Sequence, residues 1–166
     1  KINKLNKLLN DKTIDLIVWT RKKTFSSSLN PEMYGWVSEV NGLIDGVSVK
    51  KPFYSNKKAK IITGIFTYRN PKIFKASYNS LINKQKQVNG EFYLDSTIEE
   101  CLSLGKKCVA FEIDHFFSWG TPNELKTFQY WQSCFHKWKG HKYSLKKDPH
   151  IKKYNDMEKE VYKFQS

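Results

Sequence analysis

Apolar positions along the chain predict a surface helix followed by buried strands. In residues 1–10, isoleucine and leucine recur at helical spacing, which predicts a helix with one apolar face. Residues 14–20 are then almost continuously apolar, as in buried parallel strands. Residues 60–68 are predicted to form a second strand, rich in β-branched and aromatic side chains and interrupted by Gly64. A helix followed by buried strands is typical of α/β proteins.

A β-hairpin is predicted between these strands. Residues 34–40 and 43–51 are strand-like, and Asn41-Gly42 joins them. Both joining residues tolerate a positive φ, which makes this pair the strongest short-range hairpin signal.

The second half of the chain predicts three helices and one more strand. Asn70-Pro71 opens a helix to about residue 87, and a second helix runs from about residue 95 to Gly105. Residues 107–114 form the strand. Residues 123–139 carry aromatic side chains at three- and four-residue steps, so we expect a helix whose aromatic face lies in the core. The remaining residues, 140–166, read as a basic tail with a short helix around residues 156–164.

Length and composition favour one globular domain. The chain has 166 residues, and 39% of them are hydrophobic. A formal net charge of +13 favours anionic partners but does not choose between nucleic acid, phosphorylated small molecules and an ordinary solvated lysine-rich surface. Three cysteines without CxxC spacing argue against a disulfide framework and a zinc knuckle, so we expect a reducing cytoplasm. No apolar run approaches the ~18 residues of a membrane span, and no signal peptide is visible.

Candidate chemistry lies where the last predicted strand ends. Asp114 closes the apolar run, and the turn Trp119-Gly120-Thr121-Pro122 leads into the following helix. A buried strand, a turn and a helix start form the edge of an α/β active site, where an acid can hold a metal ion. Asp114 is therefore the candidate metal ligand.

Several motifs, taken in order, resemble the second half of the sugar-phosphate nucleotidyltransferase family. They are Tyr34-Gly35-Trp36-Val37, Lys50-Lys51-Pro52, Ile62-Thr63-Gly64-Ile65-Phe66, Asn89-Gly90-Glu91-Phe92-Tyr93, Trp119-Gly120-Thr121-Pro122 and the helix at residues 131–138. The resemblance covers residues 15–138 and is greatest to capsule and surface-polysaccharide enzymes. It implies a Rossmann-like (GT-A-like) α/β fold with a mixed sheet, a β-hairpin and flanking helices.

The resemblance also implies an activity and its partners. Family members transfer a nucleoside monophosphate from a nucleoside triphosphate to a sugar 1-phosphate or similar phosphate and release pyrophosphate, with magnesium as cofactor. The family's glycine-rich nucleotide loop has no counterpart here. Residues 1–139 therefore resemble the acceptor-binding half of the domain. We expect the N-terminal half to be a missing partner and this chain alone to be inactive. The oligomeric state stays open, with a homo-oligomer as one option.

Four substrate-binding residues follow from the resemblance. Lys51 keeps the lysine of the family's Glu-Lys-Pro motif, which meets the sugar phosphate, while Lys50 replaces its acid. Thr63 and Gly64 match a strand whose backbone faces the sugar, and Glu91 matches the acid that binds sugar hydroxyls. The alternatives are a solvated strand-end lysine, a β-bulge at the glycine and an exposed turn acid.

The metal position departs from the family pattern. The family commonly places an aspartate two residues before the Gly-Thr of the turn, where this chain has Ser118. Asp114 is the nearest acid, with a structural salt bridge as the alternative role. We interpret Asp95 as a helix cap and His115 as a packing residue.

Two other functional classes remain open. An inactive or regulatory nucleotidyltransferase-like subunit is credible because Ser118 and Lys50 replace acids. A nucleic-acid-binding module fits the net charge, yet no sequence signature of such modules accompanies it. If half of the domain is missing, the central sheet should keep an unpaired edge or an exposed apolar face.

Overall fold

The computed structural model describes residues 1–23, 27–28, 30–53, 58–120 and 122–148. The short helix predicted around residues 156–164 lies outside this part of the chain. The chain divides into two compact units, Lys1–Phe116 and Phe117–Ser166.

A mixed five-stranded sheet forms the centre of the first unit. Its strands, in chain order, are β1 (Leu16–Arg21), β2 (Gly35–Val40), β3 (Leu43–Val49), β4 (Lys60–Tyr68) and β5 (Cys108–Glu112). In space they are ordered β3-β2-β4-β1-β5. Strand β1 is parallel to β5, and the β1–β4, β2–β4 and β2–β3 pairs are antiparallel. The predicted α/β class with a mixed sheet is therefore confirmed.

The β2–β3 hairpin follows the sequence prediction. Asn41 and Gly42 form its turn, with φ angles of 52° and 80°. Positive φ at both central residues matches the right-handed twist of the two strands, which explains why an Asn-Gly pair can join β2 to β3.

Strand β4 is paired along most of one edge and only at its start along the other. It pairs with β1 from Ile61 to Tyr68, whereas it meets β2 only at Lys60 and Ile61. Among the described residues, no strand pairs with residues 62–68 on the side away from β1. Ile65 within this stretch is 46% exposed. That this open edge marks a missing half of the domain stays a prediction.

Helices cover the two faces of the sheet. Helix α1 (Ile2–Asn10) places Leu5 and Leu8 against a small core cluster formed by β1 and β5. Helices α2 (Pro71–Asn83) and α3 (Ser96–Ser103) connect β4 to β5 in the sequence. Ile73 of α2 and Ile98 of α3 belong to the larger core cluster with residues of β1, β2, β4 and β5.

Arg69 ties the end of helix α1 to the end of β4. Its guanidinium donates to the main-chain oxygens of Leu9 and Asp11 at 2.6 Å each, and to that of Ile14 at 3.1 Å. A cation at this position satisfies carbonyl groups that a helix leaves unpaired at its C-terminus. The contact fixes α1 on its face of the sheet.

The second unit contains helix α4 (Pro122–Lys137), and here the expectation of a buried aromatic face is wrong. Only Ser133 of this helix is buried, while Trp131 is 54% exposed. The rings pack mostly on one another, as in the Trp119–Phe128 pair, whose centroids are 5.0 Å apart. Helical spacing aligns apolar side chains on one face, but burial requires a surface to cover that face. No helix among the described residues is long and apolar enough to cross a bilayer.

Candidate functional site

The exit of the β-hairpin fixes one lysine in an unusual backbone conformation. Lys50 follows β3 with a φ of 61°, which is uncommon for a residue other than glycine. Its backbone N–H donates to the carbonyl of Tyr34 at 3.2 Å, and its Nζ donates to the carbonyl of Met33 at 3.2 Å. Both bonds cross the open end of the hairpin and hold Lys50 there.

Lys50 meets the segment that carries the predicted acid. Its Nζ lies 5.4 Å from the centroid of the Tyr93 ring, within the range of a cation–π contact. The Tyr93 hydroxyl donates to Oε2 of Glu91 at 2.6 Å, and this bond raises the pKa of Tyr93. Glu91 directly follows the tight turn at Asn89-Gly90 and forms an antiparallel β-bridge with Val88 across that turn, which fixes its position.

Asp95 completes this group of side chains by occupying the space beside Gly35. A Cβ atom added to Gly35 would overlap the Asp95 carboxylate and would lie 3.0 Å from Cδ1 of Ile62. The backbone of β2 therefore accommodates the acid only because residue 35 lacks a side chain. We call Gly35, Lys50, Glu91, Tyr93 and Asp95 the acid–lysine cluster.

The environment of Asp95 favours its protonated form. Burial raises its pKa to about 6, and the positive charge of Lys50 only partly opposes the shift. Asp95 stands at the N-cap position of α3, yet its side chain makes no capping hydrogen bond. Our interpretation of Asp95 as a helix cap is therefore wrong, because the carboxylate turns toward Gly35 instead. A carboxyl with a raised pKa among polar groups is a candidate functional residue.

The other predicted substrate-binding residues are Lys51, Thr63 and Gly64. Lys51 is exposed and directly follows Lys50. Thr63 donates its hydroxyl to the carbonyl of Trp19 at 2.9 Å, which anchors β4 on β1. Gly64 has a φ of 81° and lies in the irregularity where three β4 residues oppose Trp19 alone. The alternative of a β-bulge is thus present at Gly64, and its exposed backbone stays available to a ligand.

Asp114 lies apart from the cluster in a different set of contacts. Its carboxylate forms an ion pair with the Nζ of Lys1, and the hydrogen bond from Lys1 lowers its pKa. In the described part of the chain, no group of three or more His, Cys, Asp or Glu side chains could hold a metal ion. Asp114 offers a single carboxylate that an ammonium group already contacts, so these residues do not by themselves fit a magnesium site.

Ser118 occupies the usual acid position with a different partner. Its hydroxyl donates to Oε2 of Glu124 at 3.0 Å, and both residues belong to the second unit. Glu124 lies in the first turn of α4, where a carboxylate is favoured by the helix dipole. The pair therefore has a structural role at the start of this helix.

Sequence reasoning missed four members of the acid–lysine cluster as site residues: Gly35, Lys50, Tyr93 and Asp95. Tyr93 could have been found from the sequence, because it stands two residues after Glu91 and its hydroxyl can reach back to that carboxylate. The Gly35–Asp95 contact joins residues sixty positions apart, and no periodicity reports such a pairing.

No protein-family model matches the chain, and no curated protein matches its sequence. Among solved structures, the chain is similar to a nucleoside-diphosphate-sugar pyrophosphorylase from Vibrio cholerae RC9, with a TM-score of 0.57 and 14% identity. That match covers 69% of this chain and 46% of the other. A CMP:2-keto-3-deoxy-manno-octonic acid synthetase complexed with CTP matches at a TM-score of 0.46 and 15% identity, over 75% of this chain and 51% of the other.

The chain spans about half the length of both solved structures that it matches. The likeness to the pyrophosphorylase concerns the arrangement of helices and strands. The chain therefore shares a Rossmann-like α/β fold with that pyrophosphorylase.

Proposed function

We propose that this chain is the acceptor-binding half of a nucleotidyltransferase that acts on a sugar 1-phosphate or a similar phosphate. The observation that carries the proposal is the acid–lysine cluster, which combines a fixed lysine with two acids at the exit of the hairpin. A phosphate needs positive charge, and sugar hydroxyls need hydrogen-bond acceptors. The cluster offers both within one surface.

In the proposed reaction, an oxygen of the acceptor phosphate attacks the α-phosphorus of a nucleoside triphosphate. A new P–O bond forms, the bond to the bridging oxygen of the β-phosphate breaks, and pyrophosphate leaves with the electron pair. The protein has mainly to position the two phosphates and to neutralise their charge.

The acid–lysine cluster would supply the acceptor side of this arrangement. Lys50 and Lys51 would contact the acceptor phosphate, because a lysine ammonium is a compact charge that binds phosphate well. Glu91 and Asp95 would accept hydrogen bonds from sugar hydroxyls. With its pKa raised to about 6, Asp95 is mostly ionised at neutral pH and can accept such bonds. The exposed backbone at Gly64 would border the sugar.

The nucleotide side would come from a second half, which is the proposed partner of this chain. Support comes from residues 62–68 of β4, which no described strand pairs on the side away from β1, since such an edge is a ready template for another strand. We propose that the partner supplies the nucleotide loop and most ligands of a magnesium ion, with Asp114 contributing one. When bound, that ion would neutralise phosphate charge.

Acceptor binding can be tested on this chain alone by NMR titration with glucose 1-phosphate, mannose 1-phosphate and unphosphorylated glucose. We expect the sugar phosphates to shift the amide signals of Gly35, Lys50 and Glu91, and glucose to shift them far less. Replacing both Lys50 and Lys51 with alanine should weaken sugar-phosphate binding about tenfold or more, because this is the loss in affinity expected when hydrogen bonds to a charged group are removed. A matched control is the double replacement of Lys72 and Lys75, which lie on the outside of α2.

Pyrophosphate release distinguishes an acceptor-binding half of an active enzyme from an inactive subunit. This chain alone should release no pyrophosphate from any nucleoside triphosphate, and release by the isolated chain would refute the half-site proposal. Protein that contains both halves should release pyrophosphate, and Asp114→Ala should abolish the magnesium-dependent rate. Sugar-phosphate binding without turnover in that protein would identify an inactive subunit. No binding of any sugar phosphate at the cluster would refute the proposal outright.

A further inference from the structure

The second unit exposes an unusual number of large aromatic rings in and around helix α4. Trp119 and Trp138 flank the helix and are 58% and 62% exposed, and Trp131 lies within it. Phe117 and Phe135 are exposed as well. We call these five rings the aromatic patch. Single exposed apolar side chains are normal, but a group of this size marks a surface that another body covers.

The rings of the aromatic patch form a continuous surface. Phe117 and Trp119 both pack on the ring of Phe128, at centroid distances of 5.8 and 5.0 Å. Trp131 packs on Phe135 at 6.3 Å. Nucleic-acid bases stack on the free faces of separate rings, whereas rings in mutual contact present one apolar surface. The arrangement therefore favours an extended apolar partner.

The segment that follows α4 covers a different side of the helix. The backbone N–H of Leu145 donates to Nδ1 of His136 at 3.3 Å, and the Leu145 side chain is buried. Nε2 of Gln132 donates to the hydroxyl of Tyr143 at 3.3 Å. These bonds hold α4 within its unit while the aromatic patch stays uncovered. The patch is thus a fixed surface, presented by a helix that is anchored elsewhere.

Positive charge accompanies the aromatic patch. Residues 117–148 contain six lysines and two acids, a net charge of 6 − 2 = +4. Lys139 and Lys142 lie within four residues of Trp138, are exposed, and form no ion pair within the described part of the chain. A second copy of this chain would bring the same lysines together and add to the repulsion between molecules of charge +13. An anionic partner is therefore favoured over self-association.

We propose that the aromatic patch docks this chain on a lipid bilayer that contains anionic phospholipids. The rings enter the boundary between headgroups and acyl chains, where tryptophan is enriched in membrane proteins. Lys139 and Lys142 contact the phosphate groups of the lipid headgroups. Helix α4 lies on the bilayer surface and does not cross it. The docking surface belongs to the second unit and does not depend on the acceptor-binding function proposed above.

Vesicle flotation with the intact 166-residue chain tests this docking. The probe is a vesicle of phosphatidylcholine with about 30% phosphatidylglycerol, and a pure phosphatidylcholine vesicle is the comparison. We expect the chain to float with the anionic vesicles, with a blue shift of tryptophan emission and quenching by brominated acyl chains. Binding to the neutral vesicles should be at least about tenfold weaker, and added salt should weaken the binding to anionic vesicles.

Replacing two rings tests the aromatic patch itself. Trp131→Ala/Trp138→Ala should weaken binding to the anionic vesicles at least about tenfold, because two large apolar side chains no longer leave water. Tyr78→Ala/Leu104→Ala removes two exposed apolar side chains of the first unit and should change the affinity less than about twofold. Trp131→Phe/Trp138→Phe keeps both rings and should stay within about fivefold of the parent, which separates loss of the surface from loss of folding.

A second pair of variants tests the charge. Lys139→Ala/Lys142→Ala should weaken binding to the anionic vesicles about tenfold or more, because lysines near a charged bilayer each contribute to binding. Lys72→Ala/Lys75→Ala removes the same charge from α2 and should change the affinity less than about twofold, because these lysines lie outside the docking surface.

Four outcomes would overturn the proposal. The first is no flotation with anionic vesicles at low salt, or equal weakening by the tryptophan variant and its control. The second is a dimer in sedimentation that Trp131→Ala/Trp138→Ala abolishes, which would assign the patch to a second copy. The third is tighter binding of a single-stranded oligonucleotide through the same rings. The fourth is flotation of this chain but not of protein that contains both halves, which would show that the second half covers the patch.

Discussion

The start and the middle of helix α3 each carry an acid, and the two acids behave in opposite ways. Glu100 is fully buried within the helix and contacts the Nζ atoms of Lys84 and Lys86 at 2.6 and 2.9 Å. Burial alone would raise its pKa, but hydrogen bonds from Lys84, Ser80 and Lys86 outweigh that cost and lower the pKa to about 2. Asp95 precedes the helix, and burial raises its pKa to about 6.

The difference separates a structural carboxylate from a candidate functional one. Glu100 has two lysines and a serine around it, so its ionised form is stabilised and the helix pair α2–α3 is held together. Asp95 is placed against the bare backbone of Gly35 with one lysine nearby, so its ionised form is poorly compensated. A site that must accept hydrogen bonds from a ligand keeps such an incompletely satisfied group.

Glu100→Ala should have the largest effect on stability. It leaves two lysines and Ser80 without their buried partner, and we expect the free energy of unfolding to fall by about 3 kcal/mol. Urea unfolding followed by tryptophan fluorescence measures this. Glu99→Ala is the matched control on the same helix, because Glu99 is exposed, and it should change stability by less than about 0.5 kcal/mol. Equal losses in the two variants would remove the structural role of Glu100.

Gly35→Ala should have an intermediate effect, centred on Asp95. The new methyl group would occupy the place of the Asp95 carboxylate and should lower the free energy of unfolding by about 1–2 kcal/mol, as overpacking does. The displaced carboxylate should then show a pKa close to its ordinary value, measurable by NMR. Gly140→Ala is the control, because its added Cβ would meet only an ordinary contact at 3.6 Å. An unchanged Asp95 pKa in Gly35→Ala would contradict this account of the cluster.

Asp95→Asn should have the smallest effect on stability and the opposite sign. The raised pKa means that the folded state binds the proton more tightly than the unfolded state, so ionised Asp95 costs stability above pH 6. An uncharged amide in its place would remove that cost, and the variant should be more stable than the parent by about 1 kcal/mol at pH 7. This gain in the free energy of unfolding should disappear as the pH falls from 6 to 3.8, the ordinary pKa of an aspartic acid side chain.

The pH dependence also distinguishes the two acids directly. The lowered pKa of Glu100 gives a stabilisation that is present above its ordinary value of 4.5 and is lost as the pH falls toward 2. Unfolding curves across this range should therefore show Glu100→Ala becoming less harmful at acidic pH. A destabilising Asp95→Asn at pH 7 would show that the Asp95 carboxylate is structural, like that of Glu100.

Local elements were largely predictable because short-range physics decides them. Strand β4 has the predicted bounds of residues 60–68, and the Asn41-Gly42 turn joins the predicted strands. Helix α2 ends at Asn83, four residues before the predicted position. The prediction ran too far because the polar residues after Asn83 carry no strong stop signal. Turn chemistry and side-chain periodicity act over a few residues, so they are visible in the sequence.

The candidate site was predictable only in part. Glu91 and Lys51 could be chosen from local motifs, and their roles stay predictions. The contact of Lys50 with Tyr93, and the space for Asp95 beside Gly35, depend on how the hairpin meets the segment before α3. Those segments are more than forty residues apart in the chain, and the register between them is set by packing. The aromatic face of α4 shows the same limit, since spacing predicts the face but not its burial.

The α/β class, the hairpin and the order of helices and strands follow from the amino-acid sequence, because periodicity and turn residues act locally. Packing between distant segments decided that Asp95 is left poorly compensated beside Gly35 while two lysines and a serine contact Glu100. It also decided that no described strand pairs with residues 62–68 of β4 on the side away from β1. The physical reason is that pKa values, free edges and cavities depend on which distant groups share the same space.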